Sequence, residues 1–285
     1  MDLHHDYWDE PALKQQFIHL TQEIHNLDLT LWDEMGFWDD RYRPFSLFDQ
    51  GRIISTLCLY EMQAIIHGES QKIVQISAVA TVPDHRKQGL NRDLTKRALE
   101  LATPHAGLIL FADDAARGYY ENTGFRPLRE SLATITPTQT DLQNGNLSKL
   151  DLRDTKILDD LYQRVQRRAA PSQIFSIQMP RLFMFHVLYT MRDCCYAIPD
   201  LDCVVLIKRD GEQLIIYDIL ADQIPPWEAL APHVMTAQTR SVHFHLYPEQ
   251  LSIPEWQELT LEGSSAYTRG SFPLDAPIFP FTGRA

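Results

Sequence analysis

The sequence predicts a mixed α/β protein: a mostly antiparallel sheet flanked by helices, followed by a second, smaller α/β domain. Three observations predict it. At 285 residues the chain is longer than one typical domain. Its apolar pattern switches repeatedly between helical steps of three and four and short β-branched runs. A polar, turn-rich stretch, TITPTQTDLQNGNLSK, separates two halves whose elements follow a similar order, although the sequence does not repeat. The boundaries drawn are residues 1–133, a linker at 134–149, and residues 150–285.

The elements follow in order. Leu13, Phe17, Leu20, Ile24 and Leu27 step by threes and fours, which predicts an amphipathic helix over 10–27. The aromatic and acidic stretch LWDEMGFWDDRYRPF reads as a short helix plus loop. FSLF and RIISTLCLYEM, joined at Asp49-Gln50-Gly51, predict an antiparallel hairpin. A second turn near His67-Gly68 leads into KIVQISAVATV, a strand that Pro83 stops. Leu90, Leu94, Ala98 and Leu101 give the next helix a single buried face, over 89–102. LILFA is a strand, DDAARGYYENTG a helix ended by Gly124, and FRPL a last strand. Beyond the linker, helices are expected at 151–168 and 180–192. A hairpin turning at Arg209-Asp210-Gly211, a short helix WEALAPHVM and a strand SVHFHLY follow.

Composition narrows the function. An apolar fraction of 44% with 22% charged residues is that of a globular protein, and no apolar run approaches the roughly 20 residues of a membrane span. The first residues, MDLHHDYWDE, lack the basic and apolar regions of a signal peptide, so a cytoplasmic location is expected. Cys58, Cys194, Cys195 and Cys203 show no CxxC spacing and read as free thiols. A net charge of −12 argues against nucleic acid and suits a cationic small molecule or peptide. His243 and His245 share one strand face but have no third ligand at convincing spacing, so no metal site is expected. His4-His5 reads as a disordered start.

The most informative segment is 79–94, VATVPDHRKQGLNRDL: strand, proline break, basic glycine-bearing turn, helix. A helix N-terminus offers unpaired N–H groups and about half a positive charge. A diphosphate fits there, with Gly89 allowing close approach and Arg86, Lys87 and Arg92 adding charge. The plainer alternative is a solvated basic turn.

Arg86-Lys87-Gln88-Gly89-Leu90-Asn91 resembles motif A of the GNAT superfamily of N-acetyltransferases, Q/R-x-x-G-x-G/A. AARGYYENTGF resembles its motif B, A-x-x-x-Y-x-x-x-G-F, with Ala116, Tyr120, Gly124 and Phe125 in register. The resemblance covers 76–127 by motif and roughly 10–130 by element order. It implies acetyl-CoA as cosubstrate, with no metal, and direct transfer of the acetyl group to a primary amine of a small molecule or peptide. A non-catalytic acyl-CoA-binding or interaction module of the same fold is the alternative; whether the chain forms a homodimer is left open. It further implies that backbone groups of Val79, Ala80, Thr81 and Val82 receive the pantetheine arm, with Asp113 and Ala116 near its thiol end. Asn91 stands where the family prefers Gly or Ala and is expected to crowd the turn. Asp113 stands where Asn is frequent.

Tyr120, by its match to motif B, is the implied proton donor to the departing thiolate, with Tyr119 or a mere packing role as alternatives. For the base, Glu61 is the first choice by chemistry, with His67 and Gln75 behind it; an exposed strand or turn position is the bland alternative for each. Trp32, Asp33, Glu34 and Trp38, with Phe37, Asp39 and Asp40, either receive a cationic amine or seal the core edge with solvated acids. The second half has no RxxGxG-like turn. It resembles the silent half of tandem GNAT pairs, in some of which the chain's end reaches the active site, which would make Ala285 a participant.

Overall fold

The alternating runs pair as the turn residues dictate. In a computed structural model, which describes residues 1–138 and 145–285, the predicted hairpins form from β2 (Tyr42–Asp49), β3 (Arg52–Ile66) and β4 (Glu69–Thr81), all antiparallel. β1 (Asp2–His5) adds an edge to β2, with His5 stacked on Phe45, so the expected disorder of His4-His5 is corrected: the ladder satisfies that backbone. α1 (Pro11–His25) and α2 (Thr30–Glu34) precede the hairpins. α3 (Leu90–Glu100) crosses over from β4 to β5 (Gly107–Phe111), which makes that pair parallel; α4 (Arg117–Asn122) and β6 (Arg126–Pro127) follow.

The alternation of β3 and β4 sorts the two faces. Leu57, Leu59, Val74 and Ile76 pack against Leu94 and Ala98 of α3. Cys58, Tyr60, Met62 and Ile73 belong to the other face, with Phe17 of α1 and Trp32 of α2.

The second sheet is built from β7 (Ser131–Ile135), β8 (Ser148–Lys149), β10 (Cys195–Ile198), β11 (Cys203–Asp210), β12 (Gln213–Leu220), β13 (Ser241–Phe244) and β14 (Gln257–Thr260). β9 (Phe175–Ile177) instead extends the first sheet beside β3, and β15 (Ala266–Thr268) enters between β5 and β6. α5 (Thr155–Arg167), α6 (Pro180–Tyr189) and α7 (Trp227–Val234) complete the chain. The fold is thus mixed α/β with two mostly antiparallel sheets, laced together because β7 and β15 each cross between the halves. The middle of the expected linker, residues 139–144, lies outside the described residues. No helix among the described residues is long and apolar enough to cross a membrane.

The last residues tie the sheets together. The Thr282 hydroxyl donates to Asp218 at 2.6 Å, and Asp218 also pairs with Arg168 at 2.6 Å, both nearly fully buried. Arg284 pairs with buried Glu130 at 2.6 Å and lies over the Phe111 ring. His186 Nε2–H donates to the Arg284 carbonyl at 2.7 Å, and Gln75 Nε2 donates to the Ala285 carbonyl.

Burial lowers the pKa of His186 and of His245 to about 4. Above pH 6.5 these rings are neutral whether folded or unfolded, so their environment costs nothing there. Between 6.5 and 4 only the unfolded chain takes up those protons, so stability is lost as pH falls through that window. Urea unfolding from pH 7 to pH 4 is expected to show this slope, and His186→Gln to remove about one proton from it. An unchanged slope in the variant would contradict the assignment.

Candidate active site

β4 and β5 pair only from Ile73↔Gly107 to Ile76↔Leu110 and then part. The cause lies on the other side of β4. Between the pairs Cys58↔Ser77 and Thr56↔Ala80 the register slips, so Leu57 alone faces Ala78 and Val79. Ala78 takes a left-handed φ of 49° to make this bulge. The parted strands open a cavity of about 730 Å³, large enough for a sizeable ligand.

One wall is the backbone path Val79, Ala80 and Thr81, and the other is Asp113, Ala115, Ala116, Tyr119, Asn122 and Thr123. The head of the cavity is the turn before α3. Lys87 and Gly89 sit in left-handed conformations, φ 64° and 79°, and Gly89 is itself the N-cap. A glycine has no side chain to cap with, so the first N–H groups of α3 stay without a side-chain acceptor beside the cavity. A Cβ on Gly89 would also meet the Arg92 guanidinium at 3.1 Å. Arg86, Lys87 and Arg92 line the same end. An uncapped helix head flanked by three cations fits a diphosphate.

The structure brings together most of the expected cofactor set: Val79, Ala80, Thr81, Arg86, Lys87, Gly89, Leu90, Asn91, Asp113 and Ala116 all line the cavity. Val82 and Gln88 do not. Val82 is tied to Ile54, and the Gln88 amide turns back to the Asp84 carbonyl. The expected crowding of the turn by Asn91 is corrected: its amide points into the sheet, donating to the Ala80 and Thr56 carbonyls at 3.1 and 3.2 Å.

Tyr120, unlike Tyr119, is not among the residues that line the cavity: it is buried in the core, its ring edge-on to Phe125, and its hydroxyl has no hydrogen-bond partner among the described residues. Burial, with Tyr119 and Asp113 adding to it, pushes its pKa up, so the phenol stays protonated. Tyr119, its ring 5.2 Å from that of Tyr120, lines the cavity by Thr95 and Arg92 of α3, and its pKa is also raised by burial.

Glu61 is not brought to the cavity. It follows Leu57 and Leu59 on the α3 face and pairs at 2.6 Å with Arg43, which also binds Asp6 and the Leu101 carbonyl beyond the far end of α3. Eleven residues of helix put that end about 16 Å from the cavity's head. His67 sits in an exposed turn at φ 51°, and Gln75 is buried against Ala285.

The tryptophans seal the core. Trp32 is 2% exposed, its indole N–H donating to the Arg181 carbonyl at 2.9 Å, and Trp38 packs against it. Asp33 pairs with Lys14 at 2.7 Å and Glu34 is exposed. Asp39, 1% exposed, accepts from the Tyr60 hydroxyl and Arg41.

Sequence reasoning missed the end of α1. Ile24 lines the cavity. Next to it, His25 lies close to the Val79 carbonyl and the Asp113 carboxylate, and partial burial lowers its pKa despite both. Only its place at a helix end marked it, and that is no signal by itself.

The family model described as an acetyltransferase (GNAT) domain matches residues 18–128. No curated protein matches in sequence. Among solved structures, Eis1 from Mycobacterium abscessus is similar at a TM-score of 0.59 and 14% identity, over 94% of this chain and 73% of that one. A probable N-acyltransferase from Enterococcus faecalis V583 gives 0.54 at 14%, over 94% and 71%. A GCN5-related N-acetyltransferase from Anabaena variabilis gives 0.51 at 16%, also over 94% and 71%. The two-sheet fold is therefore shared along nearly the whole chain.

Gly89→Ala is expected to lower the unfolding free energy by about 1 kcal/mol, the cost of a left-handed alanine, in urea titration. Because the added methyl displaces Arg92, calorimetric affinity for coenzyme A should fall as well. A variant unchanged in both would show that the turn tolerates a side chain.

Proposed function

This chain belongs, through residues 18–128, to the GNAT superfamily of N-acetyltransferases, and on that premise we propose that it transfers the acetyl group of acetyl-CoA to the primary amine of a small cationic molecule. The observation that carries this reading is the uncapped head of α3 opening into the slot where β4 leaves β5. Bound there, acetyl-CoA supplies an acyl group activated as a thioester.

The chain's own residues do the rest. N–H groups at the head of α3, with Arg86 and Lys87, hold the diphosphate. The backbone of Val79 to Thr81 runs beside the arm. Tyr120, whose ring lies 5.2 Å from that of the lining residue Tyr119, donates a proton from its hydroxyl toward the leaving sulfur. His25 accepts one from the attacking amine at a ring nitrogen, and its lowered pKa keeps that nitrogen free near neutral pH. The Asp113 carboxylate and the C-terminal end of α1 favour a cationic acceptor. Support for a small acceptor comes from the face opposite α3, where α6 meets α2, β9 extends β3, and Ala285 is held by Gln75. A long peptide would have to lie across that cover.

The test is thiol release from acetyl-CoA over a panel of primary amines, beside calorimetry with coenzyme A. Turnover on at least one amine is expected, whereas binding with no turnover would favour the non-catalytic alternative. Tyr120→Phe should lower kcat about a hundredfold and leave coenzyme A affinity within about twofold; full activity would remove Tyr120 from its role. The rate should also fall with acid below pH 6.5, as His25 becomes charged, with a midpoint under that ordinary value. His25→Gln should abolish this limb, and a limb that persists would point to another base.

A further inference from the structure

Three elements meet at one side chain. Asn91, the second residue of α3, directs its amide nitrogen at the Ala80 carbonyl of β4 (3.1 Å) and the Thr56 carbonyl of β3 (3.2 Å). The hydroxyls of Ser55 and Thr81 flank it at 3.3 and 3.5 Å. With acceptors on every side, the nitrogen rather than the oxygen must face the sheet. The amide oxygen is buried with no partner, so the group is kept there for its two N–H donors.

The place of these acceptors matters. Thr56 and Ala80 are the pair at which the register slips, where one residue of β3 faces two of β4. Such a bulge interrupts the ladder, and here it also holds Ala78 in a left-handed conformation that alanine disfavours. A bridge from α3 to both strands at one end of the bulge resists its relaxation into a regular strand. A regular β4 would continue along β5 and close the slot.

We propose that Asn91 is a positioning residue that staples the head of α3 to the bulge of β4 and thereby fixes the width of the slot for the pantetheine arm. The proposal rests on the acetyl-CoA reading above and assigns a role to a side chain that departs from the family's small residue.

The experiment uses the full chain and two ligands: coenzyme A, and its nucleotide half (phosphoadenosine diphosphate), which carries the diphosphate but no arm. By calorimetry, Asn91→Ala should weaken coenzyme A about tenfold, the effect of losing two hydrogen bonds, and change the nucleotide half by less than about twofold. Asn91→Asp, which turns a carboxylate on two carbonyls, should be worse than Asn91→Ala. The KM for acetyl-CoA should rise with kcat at saturation nearly kept, and the urea midpoint serves as a folding control. Equal or tighter coenzyme A binding by Asn91→Ala would overturn the proposal, since the side chain would then only fill space. Equal losses for both ligands would also overturn it, reducing Asn91 to general support of the helix. An unmodified chain that binds neither ligand would instead bring down the acetyl-CoA reading, and the proposal with it.

Discussion

β4 and β5 hold each other for four residue pairs, Ile73↔Gly107 to Ile76↔Leu110, and then separate. A parallel pair in mid-sheet would ordinarily run on, because each unmade ladder bond leaves buried backbone groups without partners. Here the bulge at Ala78 and Val79 turns β4 off its course, and α3 starts where the strand has been turned. The cavity, the reach of α1 to its rim and the exposure of the helix head all follow from that departure. Were the strands to close, the turn at Gly89 would face no cavity.

The same geometry gives the cavity two electrical ends. At its head, three cations surround a helix N-terminus; toward Asp113 it meets a carboxylate and the C-terminal end of α1. One end suits phosphate, the other a charged amine, in a protein whose net charge of −12 repels polyanions in general. Local arrangement, not composition, decides what this site attracts. Arg43 illustrates the converse: with Asp6 and Glu61 it makes an ion-pair cluster of good geometry that has no part in the cavity.

What could be read in the sequence were features fixed by neighbours along the chain. The strand–turn–helix of 79–94 was legible because proline, glycine and helical period lie within sixteen residues, and the wall of the cavity followed from it. Side-chain direction across the sheet was not legible. Glu61 looked suitable by type, yet one step of strand alternation puts it on the α3 face. Trp32 and Trp38 looked like a receptor for a cation, but Arg181 of α6, some 150 residues later, accepts from the Trp32 indole and donates to the Trp38 carbonyl, closing that edge. Asn91 looked like an obstruction because the acceptors that draw it away, Thr56 and Ala80, belong to a bulge that no pattern in the chain announced.

The second sheet repeats the device of the first and closes it. β12 and β13 are its parallel pair, and they too part after a few residues, beyond Ile216↔Phe244. There too the neighbouring register slips, opposite Leu206 and Ile207, leaving Tyr217 as the extra residue. The gap so made is filled by the chain itself: Phe281 packs against both Tyr217 and His245, with centroids 5.7 and 6.4 Å away. Next to it Thr282 binds Asp218, and the path from β12 into α7 runs through Pro225 and Pro226 with no glycine turn. The same topology therefore yields an open slot in one half and a plugged one in the other. The difference lies in what stands beyond the parted strands: an open helix head with a basic glycine turn in the first, and an aromatic residue of the tail in the second.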